Sequence, residues 1–444
     1  MRSVRIGCGA GYSGDRIDPA VELAEKGEIS YLVFECLAER TIALAQKARL
    51  SDAAGGFDPL LEERMEAVLP CCAQKGMRIV SNMGAANPLA AIAKAREIAQ
   101  GLGLSGLRIA AVTGDDVLSI VRSGILPFGE SGHCCQSFAD RIVSANAYLG
   151  VEAIVAALAA GADVVLTGRV ADPSLFLAPL VHEFGWSMEN WNLLGQGTVV
   201  GHLLECAGQL TGGYFADPGY KDVPNLAHLG FPIAEVNEDG SAVITKVKGS
   251  GGLVSKATCT EQLLYEIEDP AAYLTPDVVA DFTEVRLNET GPDRVEVSGG
   301  RGKPRPESLK VSVGYLDGYV GEGEISYAGL GALQRAMLAR DILAERLGHY
   351  SLDELRFDLI GVNSIHGEGL SGMEHPPYEV RLRAVGRSSA MRKASLVPRE
   401  VEALYTNGPA GGGGVTGSTK ETIGIVSTLI PRDRVIGQVQ LMES

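Results

Sequence analysis

Over the first 185 residues, short apolar runs alternate with helical patterns, and this alternation limits the fold more than any other feature. The runs VRIGC (4–8), ISYLVF (29–34), RIVS (78–81), LRIAAVT (107–113) and ADVVLT (162–167) are β-branched-rich and bounded by Gly or polar residues. Such runs read as strands buried on both faces. Between them lie PAVELAEKG, AERTIALAQKARL, PLLEERMEAV, PLAAIAKAREIAQGL and SANAYLGVEAIVAALAAG, which read as helices. Strand–helix alternation requires parallel strands with crossovers over the sheet. The expected class is α/β: an N-terminal doubly wound, mostly parallel sheet with helices on both faces. From about residue 276, DFTEVRLNE, DRVEVSGG, SLKVSVGYLDGYVGEGEISYA and YEVRLRAVG alternate polar and apolar residues. They predict a C-terminal α+β domain with antiparallel strands, interrupted by one helix over 332–348. The expected domains are 1–275, with a loop-rich, site-lining segment at about 186–275, and 276–444, whose glycine loop (407–417) returns to the site.

The 444-residue chain carries a net charge of −16, which disfavours nucleic acid as a partner. No apolar stretch has the length of a membrane span. The N-terminus lacks a basic-then-apolar signal segment, so a cytoplasmic protein is expected. Eight cysteines include two adjacent pairs and no C-x-x-C, which is not a disulfide framework. His133, Cys134 and Cys135 offer metal-ligand atoms, but adjacent side chains seldom converge on one ion. No resident cofactor is predicted, and use of a divalent cation is left open.

Gly9, Gly11 and Gly14 spell the G-x-G-x-x-G of a dinucleotide loop, and Glu35 stands where a ribose-binding acid would. Asp18-Pro19 argues otherwise. Pro at the first helical position puts the helix start after the glycines, and Asp15 would face the pyrophosphate. The loop then reads as an open strand-end segment presenting Ser13, Asp15 and Arg16. Asp18, Asp58, Asn87 and Asp172 each precede a Pro and a helical pattern, so all four read as N-caps. Asp115 or Asp116 reads as the cap of the next helix.

In parallel sheets ligands bind outside the carboxyl ends of the strands. The residues expected there are Ser13, Asp15, Arg16, Glu35, Asn82, Gly84, Asn87, Thr113, Thr167, Arg169 and Asp172. His202 and Glu205, three apart, add an acid–base pair. Neither H-E-x-x-H nor a G-x-S-x-G nucleophile elbow occurs, and GPAGGGGVTGSTK is no P-loop, because Lys420 follows Thr419. Gly412 and Gly413 imply a close backbone approach, either to an anion or to another strand.

GAGYSGDR, SNMGAANP, TGRVADPSLF, ECAGQLTGGYF, QLLYEIEDPAAYLTPDV, GEISYAG and NGPAGGGG follow one another along nearly the whole chain. In that order they resemble the acyclic terpene utilisation protein AtuA family, also called DUF1446; SNMGAANP departs from an NxGGxNP pattern at Ala85, so no role is assigned to Met83 or Ala85. The resemblance implies breakdown of citronellol-type terpenoids and branched acids through acyl-CoA intermediates, and it assigns no residue a role. The expected function is a hydratase, lyase or isomerase that moves a proton next to a carbonyl in a small carboxylate or acyl-CoA. Asp15 or Glu35 is the expected base and Glu205 or His202 the partner acid. Arg169 and the glycine-loop amides would hold the substrate, and CoA would enter only as part of it. A homo-oligomer is expected. The alternatives are an NAD(P)- or FAD-dependent oxidoreductase using the Gly9-Gly11-Gly14 loop, and a non-catalytic subunit of a carboxylase or lyase complex.

Overall fold

A computed structural model of the chain describes residues 2–123, 139–367, 369, 371 and 376–444. The expected metal-ligand trio His133, Cys134 and Cys135 lies outside the described residues. The buried runs form β1 (Ser3–Ala10), β2 (Tyr31–Phe34), β3 (Arg78–Ser81), β4 (Arg108–Thr113) and, beyond an unexpected β5 (Ile142–Ala147), β6 (Val164–Thr167). The parallel centre of the sheet has the order β1-β2-β3-β6-β4. β2 and β6 are buried at every position, as strands covered on both faces must be.

The crossovers use α1 (Asp18–Lys26), α2 (Glu39–Ser51), α3 (Leu61–Lys75), α4 (Pro88–Gly101), α5 (Leu118–Ser123) and α6 (Glu152–Ala159). They are followed by α7 (Ser174–Phe184) and α8 (Trp191–Leu204). α1, α3 and α4 pack in succession, as do α6, α7 and α8. The chain steps outward from β1 to β4, leaving a place for β6, and then turns back. With right-handed crossovers the reversal sends the two helix groups to opposite faces. It also makes the neighbouring β3 and β6 the topological switch point.

Antiparallel strands complete this sheet. β7 (Pro232–Asn237) pairs with β1 and is followed outward by β8 (Ala242–Lys246). Beyond α9 (Lys256–Leu264), β9 (Tyr273–Leu274) and β10 (Val279–Asp281) come β11 (Arg286–Gly291) and β12 (Arg294–Ser298), which finish that edge. β13 (Arg301–Lys303) joins β9 and β10 in a small antiparallel sheet. The remaining elements are β14 (Ser308–Ala328), α10 (Ala332–Gly348), β15 (Glu354–Ile360), β16 (Glu379–Ser388), α11 (Met391–Ala394), α12 (Leu396–Asn407), β17 (Gly413–Pro431) and β18 (Gln438–Glu443). β18 closes the large sheet against β4. The second sheet has the order β15-β16-β14-β17. The class is thus α/β, with a large sheet parallel at its centre and further antiparallel sheets.

Two compact units result: Met1–Gly314 with Ile425–Ser444, and Tyr315–Gly424. The boundary expected at 275 falls inside the first unit, because β11 and β12 extend the large sheet. In the second unit, Ile325, Tyr327, Val380 and Leu382 on the sheet share a core with Ala336, Leu343 and Val401 on the helices.

Two other expectations fail for local reasons. SANAYLG is not helical: β5 ends at Ala147 and the helix begins at Glu152. The loop-rich segment contains α8, whose Gly195, Gly197 and Gly201 masked a helical pattern. Each helical Gly costs about 1 kcal/mol relative to Ala. Here neighbours fill the Cβ positions: a Cβ would lie 2.0 Å from Arg301 O at Gly195 and 2.6 Å from Pro173 O at Gly201.

Of the four expected N-caps, only Asn87 caps its helix, accepting from Ala90 N at 3.3 Å. Asp18 is already helical and pairs with Arg16. Asp172 pairs with Arg169. Asp58 accepts from Leu60 N at 2.9 Å and holds the fully buried Arg64 at 3.1 Å. Arg64 also donates to Ser13 O (2.8 Å) and Asp15 O (3.2 Å), tying α3 to the loop after β1. Arg64→Met leaves Asp58 buried without its cation, a loss on the order of 3–5 kcal/mol. A lowered urea midpoint, largely restored in Arg64→Met/Asp58→Asn, is the expected result.

Candidate active site

β1, β2, β3, β6 and β4 are parallel neighbours, so the segments that follow them share one edge of the sheet. After β1, α1 begins only at Asp18, past all three glycines. Those glycines are packed against protein. A Cβ would lie 2.6 Å from the Phe34 ring at Gly9, 2.6 Å from Cys206 C at Gly11 and 2.8 Å from the Tyr12 ring at Gly14. Asp15 spends both oxygens within the loop, accepting from Gly11 N (2.9 Å) and Arg16 N (2.8 Å). Ser13 hydrogen-bonds Asp58. Arg16 is exposed and reaches Asp18 and Ala227 O. These contacts shape the loop and tie it to its surroundings.

Glu35 follows β2 directly and is buried. Its Oε1 accepts from Leu37 N and from Asn82 Nδ2, both at 2.9 Å. Asn82, at the end of β3 and fully buried, also accepts from Cys36 N at 2.7 Å. Burial, and then the Asp172 charge, push the Glu35 carboxyl up to about 8, against the opposing pull of Arg169 and these donors. Gly84 sits where a Cβ would lie 2.5 Å from Thr167 O, so it brings the β3 and β6 ends together. Asn87 serves α4 and the Ala53 and Gly55 carbonyls. The Thr167 hydroxyl donates to Gly168 O, and Thr113 pairs with Gln438 of β18.

Arg169 was expected to reach for an anion in the substrate. Its charge is already matched: the terminal nitrogens ion-pair with Asp172 (2.9 Å) and donate to Leu37 O, and the guanidinium lies 4.1 Å from the centre of the Tyr148 ring, while its buried Nε has no hydrogen-bond partner. Its backbone N–H goes to Asp115, 2.9 Å away. Asp115 also accepts from Asn146 at 2.8 Å, and burial pushes its carboxyl up to about 6. The role at the start of α5 falls to Asp116, which accepts from Leu118 N.

His202 is 1% exposed on α8, with Glu205 immediately after the helix. His202 Nδ1 and Glu205 Oε1 are 2.8 Å apart. His202 Nε2, Glu205 Oε2 and Gln262 Oε1 are buried and have no hydrogen-bond partner. Each such atom is costly unless something arrives to bond it. Gln262 donates to His202 O at 3.0 Å, and the Tyr273 and Phe282 rings flank the imidazole at 5.5 and 5.6 Å. Burial pushes the Glu205 carboxyl up to about 7; His202 opposes this, and Asp172 and Glu266 add to it.

Glu35 and Glu205 therefore share Asp172 as a charged neighbour, and both act on Cys206. Tyr273 feels Glu205, Asp172 and Glu266 and stays a neutral phenol, its ionisation pushed well up by burial. The sequence reading missed Tyr273, Glu266, Gln262 and Tyr148. The first three lie in or beside QLLYEIEDPAAYLTPDV, whose polar and aromatic mixture inside a family-like motif was the available signal. Gly412 belongs to the second unit and faces Ile325 and Tyr327, with a Cβ position 2.8 Å from Ile325 Cδ1. Gly413 opens β17 and has open space about it. No group of three or more His, Cys, Asp or Glu suited to a metal ion occurs among the described residues. No described helix is long and apolar enough to cross a membrane.

Comparisons with curated proteins and with solved structures give no match. The family model described as acyclic terpene utilisation family protein AtuA matches residues 4–441. A match over nearly the full length means that the chain belongs to the AtuA family.

Proposed function

We propose that the chain is a hydro-lyase or isomerase acting on a branched or acyclic-terpenoid acyl compound by proton transfer next to its carbonyl. Family membership gives the broader role, acyclic terpene utilisation. The observation that carries the chemistry is Glu205: one oxygen is held by His202, and the other is buried with no partner. A carboxylate so placed is positioned to take a proton.

Glu205, whose buried Oε2 has no partner, is the base, and Glu35, held at Oε1 by two donors and pushed towards its protonated form by burial, is the acid. This reverses the order expected from sequence and leaves Asp15 to its loop. In the step, the Cα–H bond breaks and Glu205 Oε2 takes the proton. The released electron pair forms the Cα–C double bond, and the carbonyl oxygen gains charge. Glu35, protonated and held at Oε1 by Leu37 N and Asn82, donates to that oxygen. His202 stabilises the ionised Glu205 as a positioning residue.

The packing of Gly9, Gly11 and Gly14 against protein atoms supports this reading over a dinucleotide cradle. Incubation in D2O with the N-acetylcysteamine thioester of citronellic acid tests it. Enzyme-dependent deuterium at C2 is expected, and its absence across acyclic branched thioesters counts against the proposal. A second result is expected at the loop. Gly11→Ala puts a methyl 2.6 Å from the Cys206 carbonyl carbon, beside Glu205. Exchange should fall by at least tenfold while NAD(P) and FAD leave the melting temperature of the wild type unchanged.

A further inference from the structure

We propose that this site takes the reacting end of its substrate as an uncharged carbonyl, a thioester or other neutral acyl derivative, and discriminates against the free carboxylate. The inference rests on the proton-transfer reading above and narrows its substrate class.

A carboxylate needs a cation or a nest of amides. Four cations at or beside these strand ends each already pair with a carboxylate of the protein. Arg169 serves Asp172, Leu37 O and the Tyr148 face. Arg64 serves Asp58 and two loop carbonyls, and Lys310 pairs with Glu39 at 2.7 Å. Arg16 is exposed and paired with Asp18. The residues outside the described set contain no Lys or Arg.

Four strand-end amides are engaged by the protein's own carboxyl and amide groups as well. Cys36 N goes to Asn82, Leu37 N to Glu35 and Arg169 N to Asp115. Gly11 N, the first amide of the glycine loop, goes to the loop's own carboxylate, Asp15.

Against this stand the carboxyls of Glu35, Asp172 and Glu205: Asp172 raises the proton affinity of Glu35 and Glu205, and the exposed Glu266 raises that of Glu205 and Asp172. A substrate carboxylate would bring a further negative charge beside one guanidinium already paired with Asp172, and like charges there repel strongly. A neutral carbonyl suffers no such repulsion. It also finds donors rather than acceptors in the protonated Glu35 and the Tyr273 phenol. The unpartnered Glu205 Oε2 remains for the α-hydrogen.

The test compares molecules of nearly equal shape. Citronellate and citronellamide are titrated calorimetrically into the full-length protein at pH 7.5, and the citronellyl N-acetylcysteamine thioester is followed for C2 deuteration. The amide should bind at least tenfold more tightly than the carboxylate. The carboxylate should gain affinity as the pH falls towards 5, and Glu266→Gln should narrow the difference. Equal or tighter binding of the carboxylate at pH 7.5 overturns the inference, as does failure of the amide to bind at millimolar concentration. The two readings fail separately. Selective binding of the amide without C2 deuteration removes the reaction and leaves the substrate class. Deuteration of the free acid as fast as the thioester removes the substrate class and leaves the reaction.

Discussion

Glu205→Gln is expected to lower C2 exchange by about 10²–10⁴-fold, the range over which a positioned base acts. The substitution keeps the shape of the side chain and its contact with His202 Nδ1, so the folded structure should persist. What it removes is the carboxylate whose buried Oε2 has no partner and is placed to accept a proton. The pH profile separates this from a packing defect. In the wild type, exchange should rise through the Glu205 ionisation near 7 and fall through that of Glu35 near 8, as a narrow bell with apparent values belonging to the pair. In Glu205→Gln the rising limb disappears. His202→Asn should keep some activity with the rising limb moved upward, since the imidazole helps to hold the carboxylate ionised.

Glu35→Gln should lose exchange on a similar scale while making the protein more stable in alkali. A carboxyl with an ordinary value of 4.5 and a folded value of about 8 binds more protons folded than unfolded between those limits. Stability therefore falls as pH rises through that window, and the loss is complete above about pH 8. Glutamine carries no such penalty. It keeps an acceptor for Leu37 N and Asn82 Nδ2, and its amide replaces the other oxygen. At pH 5 the variant and the wild type should unfold alike. At pH 8.5 the variant should be more stable by on the order of a few kcal/mol, visible as a raised melting temperature. A catalytic acid held protonated by burial produces this pairing of lost activity with gained stability. A merely structural carboxyl would lose stability at both pH values.

The parallel centre of the sheet was legible because its runs are short, β-branched-rich, apolar and bounded by Gly or polar residues. Pro19 correctly displaced the helix start past the glycines, which removed the main support for a dinucleotide loop. The choice of Glu35, Asn82, Arg169, Asp172, His202 and Glu205 as strand-end or α8 residues brought most of the cluster into view. Their partners were not legible. Arg169 looked available because Tyr148 and Leu37 O, its contacts, are remote in sequence or belong to the backbone. Asp18, Asp58 and Asp172 looked like caps because a local signal can be overruled by an arginine a few residues away. α8 was hidden by glycines whose purpose is tertiary: they admit Arg301 O, Leu177 and Pro173. Tyr273 and Glu266 arrive from a segment with no periodicity to mark them.

The C2 hydrogen–deuterium exchange rate of the thioester, recorded against pH for wild type, Glu35→Gln and Glu205→Gln, tests the central claim most directly. A wild-type bell with limbs near 7 and 8, each limb lost in one variant, is the predicted result. Exchange at the wild-type rate in both variants would contradict it.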